Sequence, residues 1–398
     1  MRLARRDFLT FAGSAATFAL LPQKGGAQTI DLPFENGQRP VVAFPQKRPL
    51  LLLTPRPPQL ETPFAVFDDG VVTPNDAFYV RWHEAGVPQQ VDATTHRIAV
   101  SGAVNRTLSL SLADLAGMET IEYLAVNQCS GNGRALSSPR VAGGQWDNGA
   151  MGNALWTGVR LRDILDRAGL KPSAKQVQFD GLDGPVLPST PDFRKSLDLA
   201  VAQADDVMVA YAMNGAPLPL LNGYPVRLIV PGWYATYWVK MLSAITVLDH
   251  VDDNFWMKSA YRIPDTPDNS VVPGATGFPT IPINKMRVRS FITNIADGAT
   301  LTAGSQTVRG IAFDGGSGIA RVELSSDGGT TWHQATLEHD YGNYSFRRWH
   351  ATFDAKTGPQ KLAVRATAND GATQPVKQGW NPSGYLRSTI ETYAVTVR

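Results

Sequence analysis

The only cysteine in the chain, Cys129, lies in a segment whose composition suits chemistry at sulfur. Residues 127–134 read Asn-Gln-Cys-Ser-Gly-Asn-Gly-Arg. Small residues and glycines permit a tight turn that lets a large group approach the thiol, and Arg134 favours the thiolate form. The residues alone leave three possibilities open: an inert buried cysteine, a thiol nucleophile, and a single soft ligand to a metal supplied mostly by a cofactor. No nearby His–Asn pair identifies a base for the nucleophile.

The composition excludes several classes of protein. The 398 residues carry 37 basic and 35 acidic side chains, a formal net charge of +2, which argues against nucleic acid or an anionic membrane as the main partner. A single cysteine excludes an internal disulfide. It also excludes covalent haem c, a cysteine-rich zinc site or an iron–sulfur cluster built from this chain alone. No apolar run approaches 20 residues, so a polytopic membrane protein is excluded as well.

Residues 1–27 have the features of a targeting segment. Arg2, Arg5 and Arg6 form a basic start, a short and weakly apolar stretch follows, and Gly25-Gly26-Ala27 offers small residues for cleavage. The order Arg5-Arg6-Asp7-Phe8-Leu9 resembles the twin-arginine export motif. We therefore expect residues 1–27 to be a twin-arginine signal peptide and the mature protein to be periplasmic. The alternative is a basic amphipathic helix at the start of a cytosolic protein.

The elements that must position Cys129 lie in a region of mixed character. The proline-rich residues 28–75 predict an extended arm, and residues 76–262 predict a domain of strands and short helices. Strands are predicted at 95–100, 121–126 and 226–230, and helical turns at 111–115 and 161–168. The second helix is predicted to end at Gly169, and the strand at 121–126 leads directly into the Cys129 segment.

A second domain is predicted after a linker. Residues 263–283 contain five prolines, which is typical of a linker. Residues 284–398 contain short alternating runs separated by Gly- and Asp-rich turns, such as the hairpin signal at 326–329. Several short strands at this spacing predict an immunoglobulin-like β-sandwich.

Several segments together resemble the sulfite oxidase family of molybdenum enzymes. The segment from Cys129 to Arg134 is similar to the family's molybdenum-ligating pattern C-x-G-N-x-R, and Arg81-Trp82-His83 resembles its active-site R-x-H. Further similar segments, in chain order, are 144–146, 149–150, 156–161, 211–215, 223–232, 326–332 and 347–349. The nearest resemblance is to bacterial periplasmic sulfite dehydrogenases, and no cytochrome b5 domain precedes the matched region.

The resemblance implies a fold, a cofactor and a reaction. The fold is α+β: a sulfite oxidase-type molybdopterin-binding domain of mixed sheets and short helices, followed by an immunoglobulin-like β-sandwich dimerisation domain. The cofactor is a molybdenum-pyranopterin dithiolene with Cys129 as the protein's metal ligand, and no haem is expected in this chain. The reaction is oxidation of sulfite to sulfate, with electrons passed one at a time to a separate cytochrome c.

The resemblance also assigns roles to individual residues. Arginine suits a sulfite site because its planar fork donates bidentate hydrogen bonds to oxyanions, and a tyrosine phenol can hydrogen-bond at the reacting centre. The expected catalytic residues are Arg81, Arg134, Trp146, Tyr261 and Arg347. The expected cofactor-binding residues are Tyr79, Val80, Arg81, His83, Cys129, Asp183, Asn222, Arg227, Trp238, Val239 and Lys240. Each arginine could instead form a structural ion pair, and Tyr261 could be an amphipathic tyrosine at a domain edge.

Two positions depart from the animal members of the family. Asn222 and Trp238 both stand where those members carry a histidine. Asn222 can still donate and accept hydrogen bonds, so we expect it to contact the pterin. For Trp238 a backbone contact is the expectation.

Three alternative functions fit parts of the pattern. A molybdenum enzyme of the same fold could act on sulfane sulfur held by a carrier protein. A periplasmic binding or assembly module with a degenerate site would contain no molybdenum. A cysteine hydrolase lacks a recognisable histidine base. The arginines and Tyr261 favour free sulfite, and the C-terminal domain predicts a homodimer with a closed two-fold interface.

Overall fold

A computed structural model of the chain describes residues 29–31, 38–42 and 44–398. The predicted signal peptide lies outside the described residues. Within them the architecture is α+β, with short helices and six β-sheets, as predicted. No helix among the described residues is both long enough and apolar enough to cross a membrane.

The N-terminal strands form a sheet that ends next to the predicted site. Its order is β1-β2-β3-β4-β5. The strands are β1 Thr29–Asp31, β2 Gln38–Val42, β3 Leu50–Pro55, β4 Pro58–Glu61 and β5 Val80–Arg81. Strand β4 pairs antiparallel with β5, with Gln59 opposite Arg81. The proline-rich segment 28–75 thus contributes paired strands, and it holds β5 in place through backbone hydrogen bonds.

Two further sheets form the body of the domain that contains Cys129. One has the order β11-β10-β15-β6-β7, and the other β13-β12-β9-β8 with β14 paired to β12. The first contains β6 Ile98–Gly102, β7 Leu108–Leu110, β10 Gln176–Asp180, β11 Arg194–Asp198 and β15 Ala244–Leu248. The second contains β8 Thr120–Gln128, β9 Met151–Arg160, β12 Met208–Met213, β13 Ala216–Pro217 and β14 Arg227–Ile229. Their apolar side chains share one core cluster, which includes Cys129.

The helices are short, and capping hydrogen bonds and residue types near their ends determine where they begin and end. They are α1 Leu112–Ala116, α2 Leu161–Ala168, α3 Leu199–Ala202 and α4 Phe255–Lys258. Helix α1 is capped by Ser111, whose hydroxyl accepts from the Asp114 N–H while Asp114 reaches back to the Ser111 N–H. Helix α2 has its buried residues on one face and ends at Gly169, whose φ of +69° is in the left-handed region.

The C-terminal domain is a two-sheet sandwich. One sheet has the order β18-β20-β24-β23 and the other β19-β26-β25-β21-β22. The strands are β18 Arg289–Ile292, β19 Thr300–Leu301, β20 Gly304–Phe313, β21 Ile319–Ser325, β22 His333–Gln334, β23 Thr336–Leu337, β24 Arg347–Ala355, β25 Gly358–Ala368 and β26 Glu391–Val397. Before them, the segment predicted as a linker contributes the antiparallel pair β16 Arg262–Pro264 and β17 Thr280–Pro282. The two faces bury a common apolar cluster around Trp349.

The two domains meet along the strand that leads to Cys129. The N–H of Val126 donates to the Tyr344 carbonyl at 2.8 Å, and the buried Arg289 donates to Asn148 at 2.8 Å. Arg289 also pairs with Glu391 at 2.9 Å. Because these bonds are buried, they fix the sandwich against the loops that follow β8.

Candidate active site

The predicted site residues converge on one pocket. Its lining residues are Tyr79, Arg81, His83, Asn127, Cys129, Ser130, Leu221, Asn222, Arg227, Ala235, Thr236, Lys240 and Tyr261. Eight of these were predicted, and they come from segments that are far apart in the sequence.

Cys129 stands at the end of strand β8, where the chain turns. Its N–H donates to the Ala150 carbonyl at 2.9 Å, and its carbonyl accepts from the Asn132 N–H at 3.0 Å. Asn132 in turn accepts from the Ala150 N–H at 2.9 Å. The turn is thus held by backbone and amide bonds, and the buried thiol forms no disulfide.

Three basic side chains line the pocket that contains the thiol. Arg81 and Lys240 line the pocket beside Arg227, which is buried and donates to the carbonyls of Asn222 at 2.9 Å and Trp238 at 3.2 Å. Burial lowers the pKa of Arg227 to about 10, so it remains charged at neutral pH. Burial also lowers the pKa of Lys240, and the charge of Asp183 opposes that shift. This excess of positive charge suits an anionic ligand.

Tyr261 and His83 form a hydrogen-bonded pair at the pocket. The Tyr261 hydroxyl contacts His83 Nε2, and the imidazole stacks on Phe193 with ring centroids 3.5 Å apart. Burial and the nearby charges of Arg81, Lys240 and Lys195 hold the pKa of His83 well below its usual value. Burial raises the pKa of the Tyr261 phenol. At neutral pH the pair is therefore a protonated phenol beside a neutral imidazole.

Several buried polar atoms of this pocket have no hydrogen-bond partner within the described part of the chain. They are Arg81 Nη1, His83 Nδ1, Asn127 Nδ2, Ser130 Oγ, Arg227 Nε and Thr236 Oγ1. Buried polar atoms are nearly always paired, and leaving one unpaired costs about 1–3 kcal/mol. The described residues contain no cluster of three His, Cys, Asp or Glu that could hold a metal ion. The unpaired polar atoms and the basic side chains of the pocket suit an anionic ligand, and the Cys129 thiol could offer one soft donor to a metal that such a ligand brings.

Asn222 is predicted to contact the pterin, but its side chain is already engaged within the protein. Its Oδ1 accepts from Lys47 Nζ at 2.5 Å, and its Nδ2 donates to the Tyr79 carbonyl at 3.0 Å. Lys47 also donates to the carbonyls of Asn75 at 2.6 Å and Phe78 at 2.9 Å. Asn222 thus ties the N-terminal segment to the backbone that precedes Arg81.

We expect the variant Lys47→Met to be less stable than the wild type. It leaves three acceptors without their donor, one of them on Asn222, so the free energy of unfolding should fall by about 2 kcal/mol or more. Burial lowers the pKa of Lys47 to about 7, below its value in the unfolded chain. The unfolded state therefore binds more protons between pH 7 and about 10.5, and wild-type stability gains from this lysine as pH rises.

Denaturant unfolding of both proteins at several pH values measures this effect. The difference in unfolding free energy between wild type and Lys47→Met should grow from pH 7 towards pH 10. Lys377→Met, which alters an exposed lysine, is the matched control and should leave stability unchanged. Equal stability of Lys47→Met and wild type at every pH would contradict the role assigned to Lys47.

Arg347 does not line the pocket, contrary to the sequence prediction. It begins strand β24, and its Nη1 lies 2.8 Å from Asp340 Oδ2. Neighbouring Phe346 packs in an apolar cluster, and Trp349 fills the sandwich core. The motif that carries Arg347 thus also serves the fold of the C-terminal domain. Because Arg347 Nε and Nη1 are buried without a hydrogen-bond partner among the described residues, its role in substrate binding stays a prediction.

Arg134 lies behind the pocket wall and bonds to backbone on both sides. Its Nε donates to the Ser383 carbonyl at 2.8 Å and its Nη1 to the Gly144 carbonyl at 3.0 Å. Its guanidinium carbon is 5.2 Å from the centre of the Tyr385 ring. Arg134 therefore joins the Cys129 loop to the C-terminal domain. This structural role was not predicted, because the sequence pattern indicated only a catalytic role for Arg134.

The remaining predicted residues lie around the pocket. Trp146 is buried and packs edge-on against the Tyr79 ring. Val80 is buried opposite Leu60, and Asp183 acts on Lys240 through its charge. The Trp238 indole donates to the Trp233 carbonyl at 3.0 Å, so its side chain has no free donor. The Val239 carbonyl accepts from the Leu228 N–H at 2.8 Å.

Some residues of the site were not predicted. Asn127 accepts a hydrogen bond from the Tyr79 hydroxyl at 2.6 Å, and its position next to the cysteine motif was an available signal. Phe193 stacks on His83, and Tyr385 stacks on Tyr261 at 5.5 Å. Both are distant in sequence from the residues they touch, and no local pattern marks them.

The chain is similar to known molybdenum oxidoreductases. Residues 84–256 match the oxidoreductase molybdopterin binding domain, and residues 280–397 match the Mo-co oxidoreductase dimerisation domain. Mitochondrial sulfite oxidase of Mus musculus is 34% identical over 92% of this chain and 69% of its own length. Sulfite oxidase of Arabidopsis thaliana is 29% identical over 87% of this chain and 93% of its own.

A solved structure has the same fold. The sulfane dehydrogenase SoxCD from Paracoccus pantotrophus superposes with a TM-score of 0.74 at 24% identity, over 96% of this chain and 92% of that one. Both domains are therefore found together in one known architecture.

Proposed function

The chain belongs to the sulfite oxidase family of molybdenum oxidoreductases, and on that basis we propose that it oxidises sulfite to sulfate and passes the electrons one at a time to a cytochrome c. The observation that carries the proposal is the convergence of three features in one pocket. These are the Cys129 thiol, a buried Arg81 nitrogen that has no partner among the described residues, and the Tyr261–His83 pair.

Each residue has a definite task in this proposal. The bound cofactor supplies a metal that changes oxidation state by two electrons, which no side chain can do. Cys129 ligates that metal, while Arg227 and Lys240 hold the cofactor's anionic part. Arg81 binds the sulfite oxygens through charge-assisted hydrogen bonds. The Tyr261 hydroxyl holds a proton at the pocket, and the neutral His83 can accept it at Nε2.

A second candidate is oxidation of sulfane sulfur held by a carrier protein. One observation favours it: Arg347, one of the three arginines predicted to bind free sulfite, pairs with Asp340 instead. A pocket in which fewer cationic side chains contact the substrate is less selective for a small dianion such as sulfite. Arg81 and the Tyr261–His83 pair still favour sulfite, because they present donors and charge at the side of the thiol.

A metal and turnover assay separates the candidates. The purified protein is analysed for molybdenum, then tested for reduction of cytochrome c with sulfite, thiosulfate and a sulfane-loaded carrier protein as donors. We expect molybdenum near one per chain and turnover with sulfite. Molybdenum with turnover on the sulfane donor alone would support the second candidate. Absence of molybdenum would instead indicate a binding module.

Two further proposals concern assembly and location. The match to a dimerisation domain supports a homodimer, since closed two-fold assembly is usual for soluble oligomers. Light scattering of the purified protein measures this, and a stable monomer at micromolar concentration would contradict it. The Arg5-Arg6 motif supports periplasmic location, which cell fractionation with and without Arg5→Lys and Arg6→Lys tests.

A further inference from the structure

A short turn of the C-terminal domain, residues 381–386, is held rigidly by one buried side chain. Asn381 donates from Nδ2 to the Tyr385 carbonyl at 2.9 Å and accepts at Oδ1 from the Tyr385 N–H at 3.1 Å. It also accepts from the Ser383 N–H at 3.3 Å. Because one amide satisfies three backbone groups, the turn has a fixed shape before it meets the catalytic domain.

The same turn is bonded directly to the Cys129 loop. The Leu386 N–H donates to the Ser130 carbonyl at 3.2 Å, and Arg134 Nε donates to the Ser383 carbonyl at 2.8 Å. A Cβ on Gly133 would lie 2.4 Å from Arg387 Cδ, so the glycine allows this close approach. The turn therefore packs on the loop that carries the metal-ligating residue.

The ring of Tyr385 contacts two predicted catalytic residues at once. It stacks on Tyr261 with centroids 5.5 Å apart and an angle of 11° between the planes. The Arg134 guanidinium carbon lies 5.2 Å from the centre of the same ring. Tyr385 is half-buried, and it joins the two residues across the domain boundary.

We propose that Tyr385 is a positioning residue of the active site, through which the C-terminal domain fixes Tyr261 in the anion-binding pocket and Arg134 on the Cys129 loop. This inference rests on the proposed function. Tyr261 has a backbone φ of +55°, a left-handed conformation that a tyrosine adopts only when its surroundings hold it. The stacked Tyr385 ring supplies one side of that support, and the same ring lies against the Arg134 guanidinium. The C-terminal domain thus contributes to the site through Tyr385.

Sulfate affinity and sulfite kinetics of two variants test this role. Tyr385→Leu removes the ring and the hydroxyl, whereas Tyr385→Phe keeps the ring and its stacking and loses only the hydroxyl. We expect Tyr385→Leu to bind sulfate at least tenfold more weakly by calorimetry, with molybdenum content and Tm unchanged. Tyr385→Phe should lie between Tyr385→Leu and wild type. Tyr341→Leu, at an exposed tyrosine outside the site, is the matched control.

The outcomes separate this inference from the proposed function. Wild-type sulfate affinity in Tyr385→Leu would overturn the positioning role, even if the enzyme oxidises sulfite. A wild-type protein that binds sulfate but does not oxidise sulfite would refute the proposed function, while the variants still test Tyr385. If the wild type binds no sulfate, the inference is overturned too, because it requires an anion site. Equal losses in affinity, Tm and molybdenum content would show a purely structural residue.

Discussion

Replacing Cys129 with serine is expected to abolish sulfite oxidation and leave the fold intact. The thiol is buried beside Arg81, Arg227 and Lys240 in the pocket, and soft thiolate is the donor that the cofactor's metal would lose. Serine offers an oxygen ligand, which is harder than sulfur, and its hydroxyl keeps its proton more firmly than a thiol does. The turn itself should survive, because it is held by the Cys129 backbone and by Asn132.

Three measurements are needed on the Cys129→Ser protein. Its Tm should match the wild type, its molybdenum content should be measured by mass spectrometry, and its turnover with sulfite should fall to the background rate. Ser137→Ala, outside the lining residues, is the control for a neutral change on the same loop. A molybdenum-loaded Cys129→Ser protein with full activity would rule out Cys129 as an essential ligand.

Features fixed by neighbours in sequence were predictable. Helix α2 was predicted at 161–168 and is found at Leu161–Ala168, because an apolar periodicity and Gly169 define both its buried face and its end. A helical turn was predicted at 111–115, and helix α1 is found at Leu112–Ala116 with Ser111 and Asp114 at its cap. Cys129 lies at the end of a strand as predicted. In each case the deciding interactions span only a few residues.

Features fixed by distant contacts were not predictable from local patterns. Asn222 lies where a cofactor contact was expected, but Lys47 satisfies its oxygen from a segment read only as an extended arm. Tyr385 meets Tyr261 only because the turn held by Asn381 docks on the Cys129 loop. Such pairings depend on how separate sheets pack, and a motif matched in sequence order does not specify them.

The variants Arg81→Met and Arg347→Met are expected to differ strongly, although both arginines were predicted to bind sulfite. Arg81 lines the pocket with a buried Nη1 that has no partner among the described residues. Loss of one charge-assisted hydrogen bond costs about 1.5–3 kcal/mol, which corresponds to about ten- to a hundredfold in kcat/KM. If substrate and transition state are held alike the loss appears in KM, and otherwise in kcat.

Arg347→Met should keep kcat/KM within about twofold of the wild type, since Arg347 pairs with Asp340, an exposed carboxylate, and such pairs contribute only about 0–1 kcal/mol. Steady-state kinetics with sulfite at constant ionic strength, with molybdenum content measured for each protein, make the comparison. The two variants remove the same charge from one chain, so a general electrostatic effect would weaken both equally. Equal losses would therefore mean that Arg81 acts through net charge and not through contact. If Arg347→Met lost more kcat/KM than Arg81→Met, the C-terminal domain and not the N-terminal part would supply the arginine that contacts the substrate. Only a side chain that contacts the substrate can cause so large a loss of binding when methionine replaces it.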